Sequence, residues 1–472
     1  MNAHTSLIQQ SPFVINVGLA SFAENIRNCG GQTVELQWQP PAEGDIQAGW
    51  HLAQLVNDAR INEANKIAYE RYSGAQPVLT GVSVAHKVIP GMDGQIILHA
   101  GPPISWENMC GPQQGAVIGA ILFEGWAKTQ DEARALVAAG KIRLDPCHHH
   151  AAVGPMAGII SPSMPVWIVK NAAGKNVAYS NMNEGLGKVL RFGANGEDVL
   201  QRLRWMADIM GPTIAIVIEE MGGLELKPMM AQALHMGDEV HNRNAAASGL
   251  LFRKLTTAAL KSSRLDQKKV AETLAFIASN DHFFLNLSMA ACKVMLDAAH
   301  GVPYSSMLTV MARNGTEFGI RISGSDEWFT APSPMVNGLF FPGYGPDDAA
   351  RDLGDSAITE TAGVGGFAMA AAPAIVQFVG GTPRDALANT RRMLNITLGQ
   401  NSAFTLPALD FTGTPAGIDA RKVLDTGILP VINTGIAHKQ AGIGQVGAGI
   451  THAPLPCFAK AINALAKTLL KD

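Results

Sequence analysis

The stretch Phe13-Val-Ile-Asn-Val17, followed by LASFAENIRN over residues 19–28 and TVELQ over residues 33–37, decides how the chain begins. FVINV is a short β-branched run that reads as a strand. The middle segment reads as a helix closed by Gly30-Gly31, and TVELQ reads as a second strand ending at Trp38 and the breaker Pro40-Pro41. A strand, a helix and a strand in that order predict a parallel pair, because parallel neighbours need a long crossover and a helix is the usual one. Working outward, strands are expected over residues 78–85 and 95–99, with helices over 48–59 and 112–126. The rhythm is Rossmann-like. No GxGxxG is present, so a dinucleotide has no specific support and no cofactor is expected.

From Lys141 the chain turns to Gly, Pro and Met punctuation, with one clear strand over 166–170 and a Gly-rich segment over 181–193. Apolar residues recurring at three and four then predict helices over 200–210, 228–234, 244–259, 268–279 and 285–300. A strand over 318–323, a helix over 383–397 and an amphipathic helix over 458–470 follow. The expected architecture is a multi-domain α/β protein. Residues 1–140 form a Rossmann-like parallel-sheet domain, 141–235 the first part of an α+β domain, 236–310 a helical domain or insertion, and 311–472 the continuation of the α+β domain with a C-terminal helix.

Composition narrows the function. The chain has 472 residues with 47% hydrophobic and only 16% charged, a low share of charge for a monomer, so burial against other subunits is expected. A net charge of −3 leaves no basic footprint for a nucleic-acid backbone. Five scattered cysteines without a CxxC pair fit a reducing compartment, and the N-terminus shows no signal peptide, so the cytoplasm is expected. The uncharged segment 361–381 is long enough to suggest a membrane span, but its Ala and Gly bulk and Pro373 argue for a buried helix packed through small residues instead.

Several polar runs carry the possible chemistry. Cys147-His148-His149-His150 puts three imidazoles in a row, of which at most two share a face; His149 is the candidate acid or base, with Cys147 as a possible nucleophile. A hydrogen-bonded loop explains the run equally well. Residues 181–193, NMNEGLGKVLRFG, combine flexible glycines and backbone N–H groups with Asn181, Asn183, Glu184, Lys188 and Arg191, an anion cradle in outline that lacks the Walker spacing. Residues 236–244 pack Asp238, His241, Asn242, Arg243 and Asn244 between two apolar helices. Capping needs fewer polar groups than that, so a hydrogen-bond network is expected, with Asp238 or Glu239 able to set the tautomer of His241. Asn280 with His282, and Arg313 with Asn314, pair amides with titratable or guanidinium groups near element ends, where turn chemistry is the alternative. Residues 434–450 alternate glycines around His438 and Lys439 and read as a tightly packed loop. No metal-ligand spacing is found.

The strings VINVGLASFAENIRNCGGQTVELQWQPP, CHHHAAVGPMAGIISPSMPVW, NMNEGLGKVLRFG, AQALHMGDEVHNRN, SNDHFFLNLSMAACK and MARNGTEFGIRISG together resemble the bacterial YlbE/AllG family over nearly the whole chain. The resemblance implies a subunit of a multi-component carbamoyltransferase that moves a carbamoyl group between oxalurate and phosphate, with an FdrA-like protein as partner subunit. It supplies no site residues, so the assignments rest on this sequence. Lys188, Arg191, Arg243 and Arg313 are expected as clamps for phosphate or carboxylate, and Asn181, Asn183, Asn242 and Asn244 as donors to the carbamoyl oxygen. His149 or His241 would handle the proton. The expected ligand is a small anion such as carbamoyl phosphate or an oxamate-like acid. Two alternatives stay open: a subunit of an acyl-CoA or acyl-phosphate ligase built with the FdrA-like partner, and a non-catalytic scaffold.

Overall fold

The structure is a computed structural model that describes residues 13–36 and 40–470. Gln37, Trp38 and the chain end therefore lie outside the described residues. The first unit forms as its sequence dictates: strands Phe13–Val17 and Gln32–Leu36 pair in parallel, Phe13 opposite Gln32, with helix Ala20–Asn28 crossing between them. This pair stands as its own two-stranded sheet. Its face carrying Phe13, Ile15, Val17, Val34 and Leu36 is exposed.

A second parallel pair joins Ile96–His99 to Arg143–Pro146, and helices Gly111–Phe123 and Gln130–Ala138 make the crossover. The remaining sheets are largely antiparallel. Strand Pro77–Val84 does not extend either parallel pair; it lies between Pro165–Asn171 and Leu224–Glu225 in a five-stranded sheet, antiparallel to both. A four-stranded sheet holds Leu308–Asn314 and Glu317–Ile322, and a three-stranded sheet holds Asn337–Phe340, Gln445–His452 and Val431–Ala437. The result is a mixed α/β architecture whose parallel pairing is local and whose larger sheets are closed by distant segments.

Helix Leu285–Ala299 is apolar around nearly its whole circumference, which marks a helix enclosed on all sides. It packs on strands Pro165–Asn171 and Val177–Asn181 and on helix Ala59–Gly74, and the surrounding core runs from Ala64 to Ala416. At its start it carries Asn286 and Ser288 into that interior.

Three expectations change. The helix expected over 48–59 is two helices: Ile46–Leu55 ends, and Asp58 accepts the N–H of Arg60 to start Ala59–Gly74. The chain passes Trp205 into a wide turn, Met206–Met210, before helix Gly211–Met221. Segment 361–381 is buried through Ala371 but is not one helix. It is a chain of short turns, Gly365–Ala371, Pro373–Ile375 and Val376–Val379, because its glycines and Pro373 stop each helical start. Among the described residues no helix is long and apolar enough to cross a membrane.

Candidate functional site

Strand Val177–Asn181 delivers its last residue into the interior, where four asparagine side chains form a ladder. Asn181 Nδ2 donates to the carbonyl of Ile159 at 3.0 Å, while Asn286 Nδ2 donates to both the carbonyl and Oδ1 of Asn181 at 2.7 Å. Asn183 Nδ2 donates to Asn286 Oδ1 at 2.9 Å, and Asn183 Oδ1 accepts from Asn280 Nδ2 at 3.3 Å and from the N–H of Gly185 at 3.0 Å. Asn280 Oδ1 in turn accepts the N–H of His282 at 3.1 Å. The ladder ties the glycine loop to the segment before the central helix.

The run 236–244 is held from inside. Val240 adopts a left-handed backbone (φ 57°), which a β-branched residue takes only when its surroundings enforce it. Glu239 supplies that enforcement by accepting the N–H of His241 at 3.1 Å and of Arg243 at 2.5 Å. Asp238 accepts the N–H of Ala247 at 2.8 Å and so helps start helix Ala245–Ala259. His241 Nδ1 lies 2.7 Å from Glu360 Oε1, an oxygen that also accepts the N–H of Gly366 at 2.8 Å. With Glu360 ionised, Nδ1 carries the proton and the lone pair sits on Nε2. Burial pushes the Glu239 carboxyl up to about 7.

These segments meet in a cleft of about 510 Å³. Gly185 and Leu186 form one wall, Asn242 to Ala245 a second and Ser279 to His282 a third, with Phe341, Phe378 and Gln445 closing the rest. Three polar atoms of the second wall are buried without a hydrogen-bond partner: Asn242 Nδ2, Arg243 Nε and Asn244 Oδ1. The Arg243 side chain is 37% exposed and its Nε stands 3.6 Å from Asp238 Oδ1, so its charge is only loosely held. His282 Nε2 donates to the carbonyl of Asn242 at 3.1 Å; burial, and then the Arg191 charge, bring this imidazole down to about 4, so it is neutral. This wall thus carries a partly exposed guanidinium beside a buried amide nitrogen and a buried amide oxygen that lack partners.

Other expected residues stand elsewhere or are engaged within the chain. Lys188 is exposed at the outer turn of the glycine loop. Arg191 is buried and donates through Nε and Nη2 to the carbonyl of Gly185, at 3.1 and 2.6 Å, which shapes the loop from below. Glu184 accepts the N–H of Leu190 at 2.6 Å, and burial pushes its carboxyl up to about 7. Arg313 is wholly buried against Asp352, and Asn314 builds a turn by accepting the N–H of Thr316 and of Glu317. His149 is not at the cleft: its Nδ1 meets Asp145 at 2.7 Å and its Nε2 accepts from Trp328 Nε1 at 2.9 Å. Cys147 directs its thiol to the carbonyl of Gly158, and burial raises its pKa well above the ordinary value, which keeps it protonated.

Asn286 and Glu360 complete the arrangement without having been singled out in the sequence. Asn286 sits inside the apolar run LNLSMAAC, and Glu360 precedes the Ala/Gly segment. For Asn286 a polar residue within an apolar stretch was the available signal; Glu360, between Thr359 and Thr361, offered none. A larger open groove of about 670 Å³, beside Arg253, Lys254 and Lys261, lies apart from this network. Among the described residues no three His, Cys, Asp or Glu side chains are placed to share a metal ion.

Residues 142–356 match the family model described as oxamate carbamoyltransferase subunit AllG. The chain is 49% identical over 462 residues to "Uncharacterized protein YahG" of Escherichia coli, covering 97% of this chain and 98% of that one. It is 49% identical over 415 residues to the oxamate carbamoyltransferase subunit AllG of the same organism, covering 87% and 98%. A crystal structure of a conserved protein of unknown function from Enterococcus faecalis superposes with a TM-score of 0.85 at 50% identity, covering 86% of this chain and 98% of that one. With family-level similarity along almost its full length, the chain belongs to the AllG family.

Proposed function

We propose that this chain is a subunit of a multi-component carbamoyltransferase that binds a compact anionic metabolite in the Asn242–Asn244 cleft and works with an FdrA-like partner subunit. The carrying observation is the combination, on one wall, of a partly free guanidinium with an unpartnered amide donor and an unpartnered amide acceptor. Arg243 would hold a carboxylate or phosphate. Asn242 Nδ2 would donate to the carbamoyl oxygen as negative charge builds there, and Asn244 Oδ1 would accept from the carbamoyl amino group. The similarity to the oxamate carbamoyltransferase subunit AllG supports the same chemistry.

In the direction from oxalurate, a phosphate oxygen attacks the carbamoyl carbon and the C–N bond to the oxamate nitrogen breaks. The proton of monohydrogen phosphate then passes to that nitrogen. His241, buried and held at Nδ1 by Glu360, does not line the cleft, so the transfer is drawn directly between the two reactants.

The test is co-expression with the FdrA-like protein, followed by measurement of carbamoyl phosphate formed from oxalurate and phosphate. Phosphate-dependent turnover without CoA or ATP is expected. Turnover that begins only on adding both would favour the ligase reading. Arg243→Ala should lower the rate by about tenfold to a hundredfold, the scale of a lost hydrogen bond to a charged group, with an unchanged melting temperature. Wild-type rates in that variant would remove Arg243 from the site.

A further inference from the structure

The first unit of the chain is one layer short. Strands Phe13–Val17 and Gln32–Leu36 pair in parallel and form a sheet to themselves, so no other strand of the described residues extends either edge. Their register puts Phe13, Ile15 and Val17 of one strand on the same face as Val34 and Leu36 of the other, with Ile15 opposite Val34 and Val17 opposite Leu36. The alternate residues turn to the other face, where helix Ala20–Asn28 lies and where Asn16 of the strand and Ala23 of the helix are buried.

Parallel sheets occur almost only with both faces covered. Here one face is covered and the other is open: its five apolar side chains are between 43% and 63% exposed. Two strands alone are marginal in water and need a further layer packed on their apolar face. That layer is not supplied by the described part of the same chain.

The face itself says what fits it. It carries no charged side chain; Arg27 and Glu35 meet at 3.7 Å and belong to the helix side. A partner recognised by charge is thus the wrong occupant, and the matching surface is a second flat apolar one. Every copy of this chain carries such a surface. The five side chains together expose roughly 500 Å², the size of the largest apolar patch that a monomer ordinarily leaves open. Two copies face to face would remove about 1,000 Å² before any backbone is counted, which is where specific interfaces begin.

We propose that this chain associates with a second copy of itself through this face, the two sheets stacking about 10 Å apart across a twofold axis with a helix on each outer side. Each sheet then has the two covered faces that its parallel pairing calls for.

The test reads mass rather than turnover, so it stands apart from the carbamoyltransferase reading. The full chain, purified without other subunits, is followed by sedimentation equilibrium across the micromolar range and compared with Ile15→Lys. Ile15 is exposed within one copy, so the substitution leaves that copy's packing alone, while the twofold would press two ammonium groups into the apolar contact. The expected result is a wild-type assembly whose mass is halved in Ile15→Lys, with the dissociation constant raised at least about hundredfold. A wild-type chain that stays monomeric overturns the proposal, and so does a folded variant that associates as tightly as wild type. If the chain is monomeric alone and Ile15→Lys instead abolishes capture of the FdrA-like subunit, the face belongs to that protein and the second-copy assignment is wrong. Should Ile15→Lys fail to fold, Val34→Cys in a Cys29→Ser background decides. Covalent dimers formed with a short bis-maleimide, and absent from the Cys29→Ser parent, support the stacked faces; monomers only reject them.

Discussion

Around Arg313 every guanidinium N–H has a partner. Nε and Nη2 reach the two oxygens of Asp352 at 2.7 and 2.8 Å, Nη1 reaches the carbonyl of Gly354 and Ser356 Oγ, and Nη2 also reaches Thr434 Oγ1. Around Arg243 the partners are incomplete: Nε has no hydrogen bond, and Asp238 lies at 3.6 Å. The two residues have the same chemistry, and the sequence gives each a polar neighbourhood with an asparagine beside it. The difference teaches that a completed network holds the fold together, whereas an incomplete one at a cleft has capacity left for a ligand.

Replacing Arg313 by Met should give the largest effect. It strands Asp352 as a buried, uncompensated charge and should lower stability by about 3–5 kcal/mol, read by denaturant unfolding. Loss of less than about 1 kcal/mol would break the contrast with Arg243.

Glu184 sharpens the comparison through pH. Its carboxyl is held up to about 7 in the folded chain against an ordinary 4.5, chiefly by burial. The folded state therefore keeps a proton that the unfolded chain releases near 4.5, so stability is greatest below that value and falls as pH rises toward 7, by roughly 3 kcal/mol at most for this group. Glu184→Gln should flatten that fall in a series of melting curves from pH 4.5 to 7.5, and an unchanged slope would count against a buried protonated Glu184. Lys188 should show the smallest effect. Lys188→Ala is expected to change stability by less than about 0.5 kcal/mol, and any loss of ligand affinity should vanish in high salt, as exposed charges behave.

The sequence made local features legible and distant ones not. The parallel pair at Phe13–Val17 and Gln32–Leu36 follows from adjacent segments alone. Strand Pro77–Val84 was visible as a strand, but its partner Pro165–Asn171 lies some ninety residues on, and no periodicity announces such a pairing. The polar runs at 181–193, 236–244 and 279–282 each stood out by density of amides and charges, and the fold brings parts of all three to one cleft. The state of each residue was hidden. Whether a cation is engaged or free depends on groups such as Asp352 and Gly354, which its own neighbours in sequence do not reveal. Asn286 was masked by the apolar run around it, where a single polar side chain reads as an interruption of the core, and Glu360, between Thr359 and Thr361, lay outside the polar runs that stood out. In the triple histidine the alternation of faces was foreseeable, and the structure separates His148 inside from His149 at the surface.

The asparagine ladder has a consequence for how this protein could diverge. Asn286 and Asn183 each donate to one asparagine and accept from another, so changing either leaves two others without their match, and changing Asn181 or Asn280 leaves one. No single step along that path is neutral. The four positions are therefore tied to one another as a block, and drift toward a new specificity has its open routes on the Arg243 wall, where partners are still missing.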